Sequence, residues 1–148
     1  MLEGKWSAVF FGYTDCPDAC PTTLFALGQA QKLLGPDARD FQTVFISVDP
    51  ARDTPKRLAE YLSTDAFPRG AIGLTGTPDE VARVAKAYRV FYQKAGEGPA
   101  YAVNHSTITY LMNPRGGFAC AVAYNATPQQ IAAQVRAARA KGADADSC

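Results

Sequence analysis

A threonine followed directly by a proline occurs three times after residue 50, at Thr54–Pro55, Thr77–Pro78 and Thr127–Pro128. Threonine is a favoured N-cap, and proline is favoured at the first helical position, so each pair predicts the start of a helix. Glu80 and Gln130 each stand three residues after their threonine, which completes a capping box. The predicted helices lie near 55–63, 78–88 and 128–140, and the apolar segments between them are left for strands.

Those apolar segments are rich in β-branched and aromatic residues and predict strands over 5–11, 42–48, 71–74, 107–112 and 118–124. A further helix is expected over 21–34, where Gly35–Pro36 ends it. The order β-α-β-α-β-α-β-β-α predicts an α/β protein of thioredoxin-like fold. We expect a central mixed sheet with flanking helices, closed by a C-terminal β-hairpin and a last helix. All 148 residues form one domain in this interpretation, with a long loop over 95–102 and a flexible tail over 141–148.

The composition is that of a globular protein and argues against several functions. Apolar residues make up 47% of the chain, and the net charge is +1 with the basic residues scattered. Neither a nucleic-acid-binding patch nor a polybasic membrane anchor is indicated. No apolar run has the length of a membrane span, and no signal peptide is present in this sequence. The four cysteines allow three disulfide connectivities, and their number alone does not choose between them.

Cys16 and Cys20 stand four apart in the loop between the first predicted strand and the first helix. Loops at the carboxyl ends of strands carry the sites of open α/β folds, and a helix N-terminus favours a thiolate. Pro17 and Pro21 disfavour the helical conformation of the cysteine before each of them, so we expect both thiols to lie outside regular helix. Such a loop can close a redox-active disulfide, hold a metal, or do both. Burial of two small apolar side chains is the weaker interpretation.

His105, the single histidine, is the third candidate ligand. It follows the loop 95–102 and precedes the hairpin strand, a junction that faces the first strand–helix loop in a thioredoxin-like fold. A closed zinc site takes four ligands, usually cysteine and histidine, which the chain does not offer near this loop. Cu(I) prefers thiolates, and imidazole also suits copper, so two cysteines and one histidine favour copper.

The remaining cysteines are interpreted as structural. Cys120 is in step with Phe118, Val122 and Tyr124, which predicts that it faces a buried side as a small apolar residue. Cys148 ends a polar tail and is expected to be mobile and free. A bond between Cys120 and Cys148 is the alternative, for which no pattern in the sequence argues.

The charged residues Asp49, Arg52 and Asp53 have two interpretations. The favoured one is structural, as the end of a strand and the approach to a helix capped by Thr54. The alternative is that they shape or charge the rim of the cysteine site.

Three blocks of sequence, FGYTDCPDACPTTL, ISVDPARDTP and VNHSTITYLMNPRG, occur in this order and together resemble the Sco/SenC family. That resemblance covers nearly the whole chain. It implies a thioredoxin-like copper-binding protein that holds Cu(I) or Cu(II) through Cys16, Cys20 and His105. Asp15 and Asn104 depart from the histidine and aspartate common at these positions, and the strand pair that usually precedes Gly4 is absent.

The same resemblance implies a copper metallochaperone for assembly of the CuA site of cytochrome c oxidase. The implied partners are oxidase subunit II, a thioredoxin-like reductase and another copper chaperone. The implied location is the bacterial periplasm, with an N-terminal helix tethering the protein to the inner membrane. The alternative function is a thiol–disulfide oxidoreductase that uses Cys16 and Cys20 to reduce the cysteines of the oxidase subunit or another partner. A thiol peroxidase ranks last, because the second cysteine and the histidine would be surplus.

Overall fold

The computed structural model describes residues 2–16, 19–96, 98, 102–105 and 107–148, and at 19, 102, 104 and 105 it describes the backbone alone. In this part of the chain the strands are β1 (Trp6–Gly12), β2 (Phe41–Ser47), β3 (Ile72–Leu74), β4 (Tyr92–Ala95), β5 (Ala102–His105), β6 (Thr109–Met112) and β7 (Phe118–Val122). The α-helices are α1 (Ala19–Leu34), α2 (Pro55–Leu62), α3 (Pro78–Ala87) and α4 (Pro128–Lys141), and a 3₁₀ helix follows α1 at Gly35–Asp40. No helix among these residues is both long and apolar enough to cross a bilayer.

The main sheet is mixed and has the strand order β3-β2-β1-β6-β7. β1, β2 and β3 run parallel, whereas β6 is antiparallel to β1 and β7 is antiparallel to β6. The predicted thioredoxin-like arrangement is therefore confirmed, with its C-terminal hairpin and last helix. Gly12 pairs with Ser47 at the carboxyl ends of β1 and β2, so the segments that follow these two strands leave the sheet side by side.

The core is built on β1, in which every residue is buried, and on the apolar stripe of α1. Leu24, Leu27, Ala30 and Leu34 lie at the helical spacing seen in the sequence and are all fully buried. Each buried leucine contributes about 1.5–3 kcal/mol relative to an exposed one. α1 also packs against α4. The buried stripe and this contact together fix the position of α1, and Cys20 lies at its start.

The three threonine–proline pairs begin helices as predicted. The hydroxyl groups of Thr54, Thr77 and Thr127 accept hydrogen bonds from the amides of Arg57, Glu80 and Gln130, respectively. The last two caps are full capping boxes, since the Glu80 and Gln130 side chains accept from the threonine amides in return.

The stretch 95–102, predicted as a loop, belongs to a second, two-stranded sheet. β4 and β5 pair antiparallel, with Tyr92 opposite His105 and Ala95 opposite Ala102. The loop prediction is wrong at both of its ends, because Ala95 and Ala102 are strand residues. Residues 97 and 99–101 lie outside the described part of the chain.

A bulge in β7 overturns the prediction for the face of Cys120. Ala119 is an extra residue between Phe118 and Cys120, whose partners on β6 are adjacent residues. The extra residue breaks the alternation of inward and outward side chains. Ala119 and Val122 are buried, whereas Phe118 and Tyr124 are exposed and Cys120 is half-buried, so these residues do not share one buried face.

Cys148 is not free, because it forms a disulfide with Cys120 across 28 residues of sequence, with the Cα atoms 5.8 Å apart. The tail before it folds back on the domain. Ala145 is buried, and its carbonyl accepts a hydrogen bond from the Asn113 side chain at 2.9 Å. The prediction of a free Cys148 is wrong, and the bond with Cys120 that was its alternative is formed. The flexibility of 141–148 stays a prediction.

Candidate metal centre

Cys16 and Cys20 are both reduced, with no disulfide between them, and both are buried near the carboxyl end of β1. The amide of Cys16 donates to the Tyr13 carbonyl at 3.1 Å, which closes a turn. The amide of Cys20 in turn donates to the Cys16 sulfur at 3.3 Å. Cys20 lies in the first turn of α1, which begins at Ala19, so the expectation that both thiols lie outside helix is wrong for Cys20. Because Cys20 lies in the first turn, its amide has no acceptor within the helix, and the Cys16 sulfur accepts its hydrogen bond instead.

The two sulfurs interact strongly. The pKa of the Cys20 thiol is raised, first by its hydrogen bond with Cys16, then by burial and by negative charge on Cys16. The amide of Cys20 and the N-terminus of α1 favour negative charge on the Cys16 sulfur. Cys20 therefore keeps its proton and donates it in a hydrogen bond to the Cys16 sulfur. A cation between the sulfurs would remove the repulsion that keeps the Cys20 proton in place.

Gly12 leaves the space that the Cys20 sulfur occupies. A Cβ atom at position 12 would lie 2.6 Å from that sulfur and 3.1 Å from Cε2 of Phe45. Any larger residue would displace the sulfur or the ring. The sequence analysis did not single out Gly12, although a glycine at the end of a buried strand often marks such a close approach.

A buried carboxylate, Asp53, holds the loop that precedes Cys16. Its oxygens accept from the Thr14 amide at 3.1 Å, the Thr14 hydroxyl at 2.6 Å and the Ser47 hydroxyl at 2.7 Å. Asp53 is 1% exposed, and these bonds supply the partners that a buried charge requires. The favoured structural interpretation of Asp53 is thus supported, and what it fixes is the loop that presents the first cysteine.

The rim of the loop carries a small network of ion pairs. Asp15, 41% exposed, pairs with Arg52 at 3.2 Å and with Arg57. Arg52 also pairs with Asp49, which is buried. The alternative interpretation, that Asp49 and Arg52 shape the rim, therefore has support beside the structural one. Asp15, which departs from the common histidine, is engaged in these pairs.

Tyr13 connects the cysteine loop to β5. Its hydroxyl accepts a hydrogen bond from the amide of Val103 at 3.1 Å, and the Arg52 guanidinium lies 5.6 Å from the centre of its ring. Val103 and His105 belong to the same short strand. The structure describes the backbone of His105 but not its side chain, so this predicted ligand is placed only through its strand. Within the described residues, no group of three or more histidine, cysteine, aspartate or glutamate side chains is placed to hold a metal ion.

The hydroxyl of Tyr61 on α2 is buried and has no hydrogen-bond partner among the described residues. Its pKa is raised mainly by burial and further by Cys20 and Cys16, which places the phenol in the field of the two sulfurs. The ring packs against Phe45, with centroids 5.9 Å apart, and Phe45 also borders the space beside Gly12. Tyr61 was another residue that the sequence analysis did not single out.

Comparison with known proteins gives a match to the family described as SCO1/SenC over residues 1–140. The chain belongs to the SCO1/SenC family. It is 46% identical over 132 residues to the protein SenC of Rhodobacter capsulatus, a match that covers 88% of this chain and 59% of SenC. The chain thus spans less than two thirds of that relative's length.

Solved structures of Sco proteins share the fold. The structure of Bradyrhizobium japonicum ScoI with copper bound is 40% identical with a TM-score of 0.83, covering 92% of this chain and 86% of that chain. The crystal structure of yeast Sco1 with copper bound is 38% identical with a TM-score of 0.87, covering 98% and 81%, respectively. This SCO1/SenC chain therefore has Cys16 and Cys20 on a scaffold that in these two relatives has been solved with copper.

Proposed function

We propose that this protein is a copper metallochaperone for assembly of the CuA site of cytochrome c oxidase. The observation that carries the proposal is the pair of reduced, buried sulfurs, Cys16 and Cys20, linked through one amide at the start of α1. Copper is the cargo in this function, and the two copper-bound relatives support copper as the metal. The proposed ligands are Cys16, Cys20 and His105.

The chemistry of the two sulfurs fits copper. Thiolates are soft ligands that select Cu(I), and the burial of both cysteines excludes competing water. Loading releases the proton that Cys20 retains in the copper-free protein, because ligands bind metals in their deprotonated form. Two thiolates and one imidazole leave a coordination position open, through which a partner's thiol can displace them one at a time.

The third ligand is proposed from the position of its strand. β5 is joined to the cysteine loop by the contact between Val103 and Tyr13. Residues two apart in a strand share a face, so position 105 shares a face of β5 with the buried Val103. This supports His105 as a residue that approaches Cys16 and Cys20.

The place and partners of this activity belong to the same proposal. The disulfide between Cys120 and Cys148 is the kind of bond that persists in an oxidising compartment, which supports a periplasmic location. Tethering to the inner membrane by an N-terminal helix is proposed from the family resemblance. So are transfer to oxidase subunit II, receipt of copper from another chaperone, and reduction of the dithiol by a thioredoxin-like reductase.

The test is an anaerobic titration with copper of protein whose Cys16 and Cys20 are reduced. We expect one tightly bound copper per chain, sulfur-to-copper charge transfer on Cu(II), and weaker binding in Cys16→Ser, Cys20→Ser and His105→Ala. A Cys120→Ser/Cys148→Ser variant is the matched control, because it removes the other cysteine pair and should bind copper normally. Weak binding by the unmodified protein, or no effect of His105→Ala, contradicts the proposed site.

A second function, thiol–disulfide exchange, is favoured by the hydrogen bond that links the two sulfurs. The Cys16 thiolate would attack a partner disulfide and form a mixed disulfide, releasing one partner thiolate. Cys20 would then lose its proton and attack the Cys16 sulfur, releasing the second partner thiol. The partner gains two electrons and the Cys16–Cys20 disulfide forms. If the His105→Ala variant reduces the disulfide of an oxidised CuA domain as fast as the unmodified protein does, thiol–disulfide exchange is supported over copper delivery.

A further inference from the structure

One buried hydrogen bond joins β5 to the cysteine loop. The amide of Val103 donates to the hydroxyl of Tyr13 at 3.1 Å, and these residues are 5% and 3% exposed. β5 pairs with β4 alone among the described strands, at Lys94 opposite Val103. The Val103 amide that reaches Tyr13 therefore points away from β4, on the edge of β5 that pairs with no other described strand.

Tyr13 is itself held on two further sides. Its carbonyl accepts the amide of Cys16 at 3.1 Å, so its backbone takes part in the turn that presents the first sulfur. The guanidinium of Arg52 lies over its ring, and Arg52 is anchored by its ion pairs with Asp15 and Asp49. Tyr13 thus contacts the cysteine turn through its backbone and β5 through its hydroxyl.

We propose that Tyr13 is a positioning residue for the copper ligands, because its hydroxyl docks the strand that carries His105 against the cysteine loop. This inference rests on the proposed function, since it takes His105 as the third ligand. Val103 and His105 are two residues apart in β5, so docking the Val103 amide fixes the backbone on which His105 is carried. Tyr13 does not contact the metal in this role.

The size of the effect follows from the bond that is lost. Tyr13→Phe keeps the ring and its contact with Arg52 but leaves the Val103 amide buried without an acceptor. The docked arrangement of β5 then becomes less populated, and apparent copper affinity falls with the docked fraction. We expect a loss of copper affinity of about tenfold, the range that an unpaired buried amide produces.

The test compares Tyr13→Phe with Tyr110→Phe. Tyr110→Phe is the matched control because it also removes one tyrosine hydroxyl, from a half-buried residue of β6 whose ring packs against Phe11 and Tyr88. The first readout is hydrogen exchange of the Val103 amide in the copper-free protein, followed by NMR. The second is Cu(I) affinity by competition with a chromogenic chelator. The third is nitrogen coupling in the electron paramagnetic resonance spectrum of the Cu(II) form. Thermal melting confirms that both variants fold.

Faster exchange of Val103 in Tyr13→Phe, with weaker copper binding and altered nitrogen coupling, supports the positioning role. Unchanged exchange overturns it, and so does faster exchange with unchanged affinity and coupling. Tyr110→Phe should leave all three readouts as in the unmodified protein. If His105→Ala does not weaken copper binding, the ligand set of the proposed function is wrong and this inference falls with it. A failure confined to Tyr13→Phe overturns the inference alone.

Discussion

Replacement of Gly12 by alanine tests whether the Cys20 sulfur is held in the place that copper binding needs. The new Cβ would lie 2.6 Å from that sulfur, where 3.4 Å is the lower limit of ordinary contact. The sulfur must therefore retreat by about 0.8 Å, well beyond the roughly 0.2 Å by which metal–ligand distances vary. The new Cβ would also lie 3.1 Å from Cε2 of Phe45, so β1 cannot move toward that ring to relieve the contact.

Two responses are open to Gly12→Ala, and we expect the first, which weakens copper binding, because it costs less stability. Rotation of the Cys20 side chain relieves the contact at little loss of stability but withdraws the sulfur from Cys16. Holding the sulfur in place overpacks the core, which lowers the free energy of unfolding by about 1–3 kcal/mol. We expect the Cu(I) affinity of Gly12→Ala to fall by more than about tenfold, the result of losing a well-placed ligand.

The assay is competition for Cu(I) with a chelator, measured beside thermal melting. Gly28→Ala is the matched control, because its Cβ would lie 2.5 Å from the backbone carbonyl of Ala66, away from the sulfurs. That variant should melt at a lower temperature but bind copper normally once folded. Copper affinity unchanged in Gly12→Ala would refute the argument that the space beside this glycine belongs to the metal site.

Three further predictions concern stability. Because the pKa of the Cys20 thiol is raised by its bond with Cys16 and by burial, the unfolded chain loses a proton above about pH 8.5 that folded Cys20 keeps. Urea unfolding of the copper-free protein should therefore show stability that is full below this pH and falls above it, and a rise above it contradicts the assignment. Tyr61→Phe should leave the free energy of unfolding unchanged or slightly higher, because the hydroxyl it removes has no partner in the described chain; a loss above about 1 kcal/mol would reveal one. Cys148→Ser opens a loop of 28 residues and should lower that free energy by about 3.5 kcal/mol, with unchanged copper affinity; equal stability in denaturant titrations would show that the bond does not form in solution.

The parts of the fold that sequence predicted are those specified locally. Thr54, Thr77 and Thr127 satisfy amides within their own helices, so residue type and spacing suffice to locate each start. β4 and β5 were missed because their short sequences, YQKA and AVNH, carry no clear alternation, and their pairing depends on contacts between the two strands. The bulge at Ala119 was missed for a similar reason, since it is defined by the partner strand β6.

At the candidate site, the residues with distinctive chemistry were accessible to sequence reasoning and those with supporting roles were not. Cys16 and Cys20 were found because two thiols after a strand are rare and informative. Asp53 is an exception, because its structural role was already favoured from the sequence. Gly12 and Tyr13 act through distances to atoms elsewhere in the chain, such as the 3.1 Å contact of Tyr13 with Val103. The bond between Cys120 and Cys148 likewise depends on the tail folding back, which no local pattern indicates.

The second cysteine pair affects how copper stoichiometry is to be measured. A strong reductant added to keep Cys16 and Cys20 reduced also opens Cys120–Cys148, and the preparation then presents four thiols where the protein with that bond intact presents two. A second equivalent of copper in such a titration would be bound by the reduced Cys120 in β7 and Cys148 in the tail. The reductant should therefore be mild enough to leave Cys120–Cys148 intact, and a count of two thiols per chain should be made before the titration. Copper binding measured on such a preparation should saturate at one equivalent per chain.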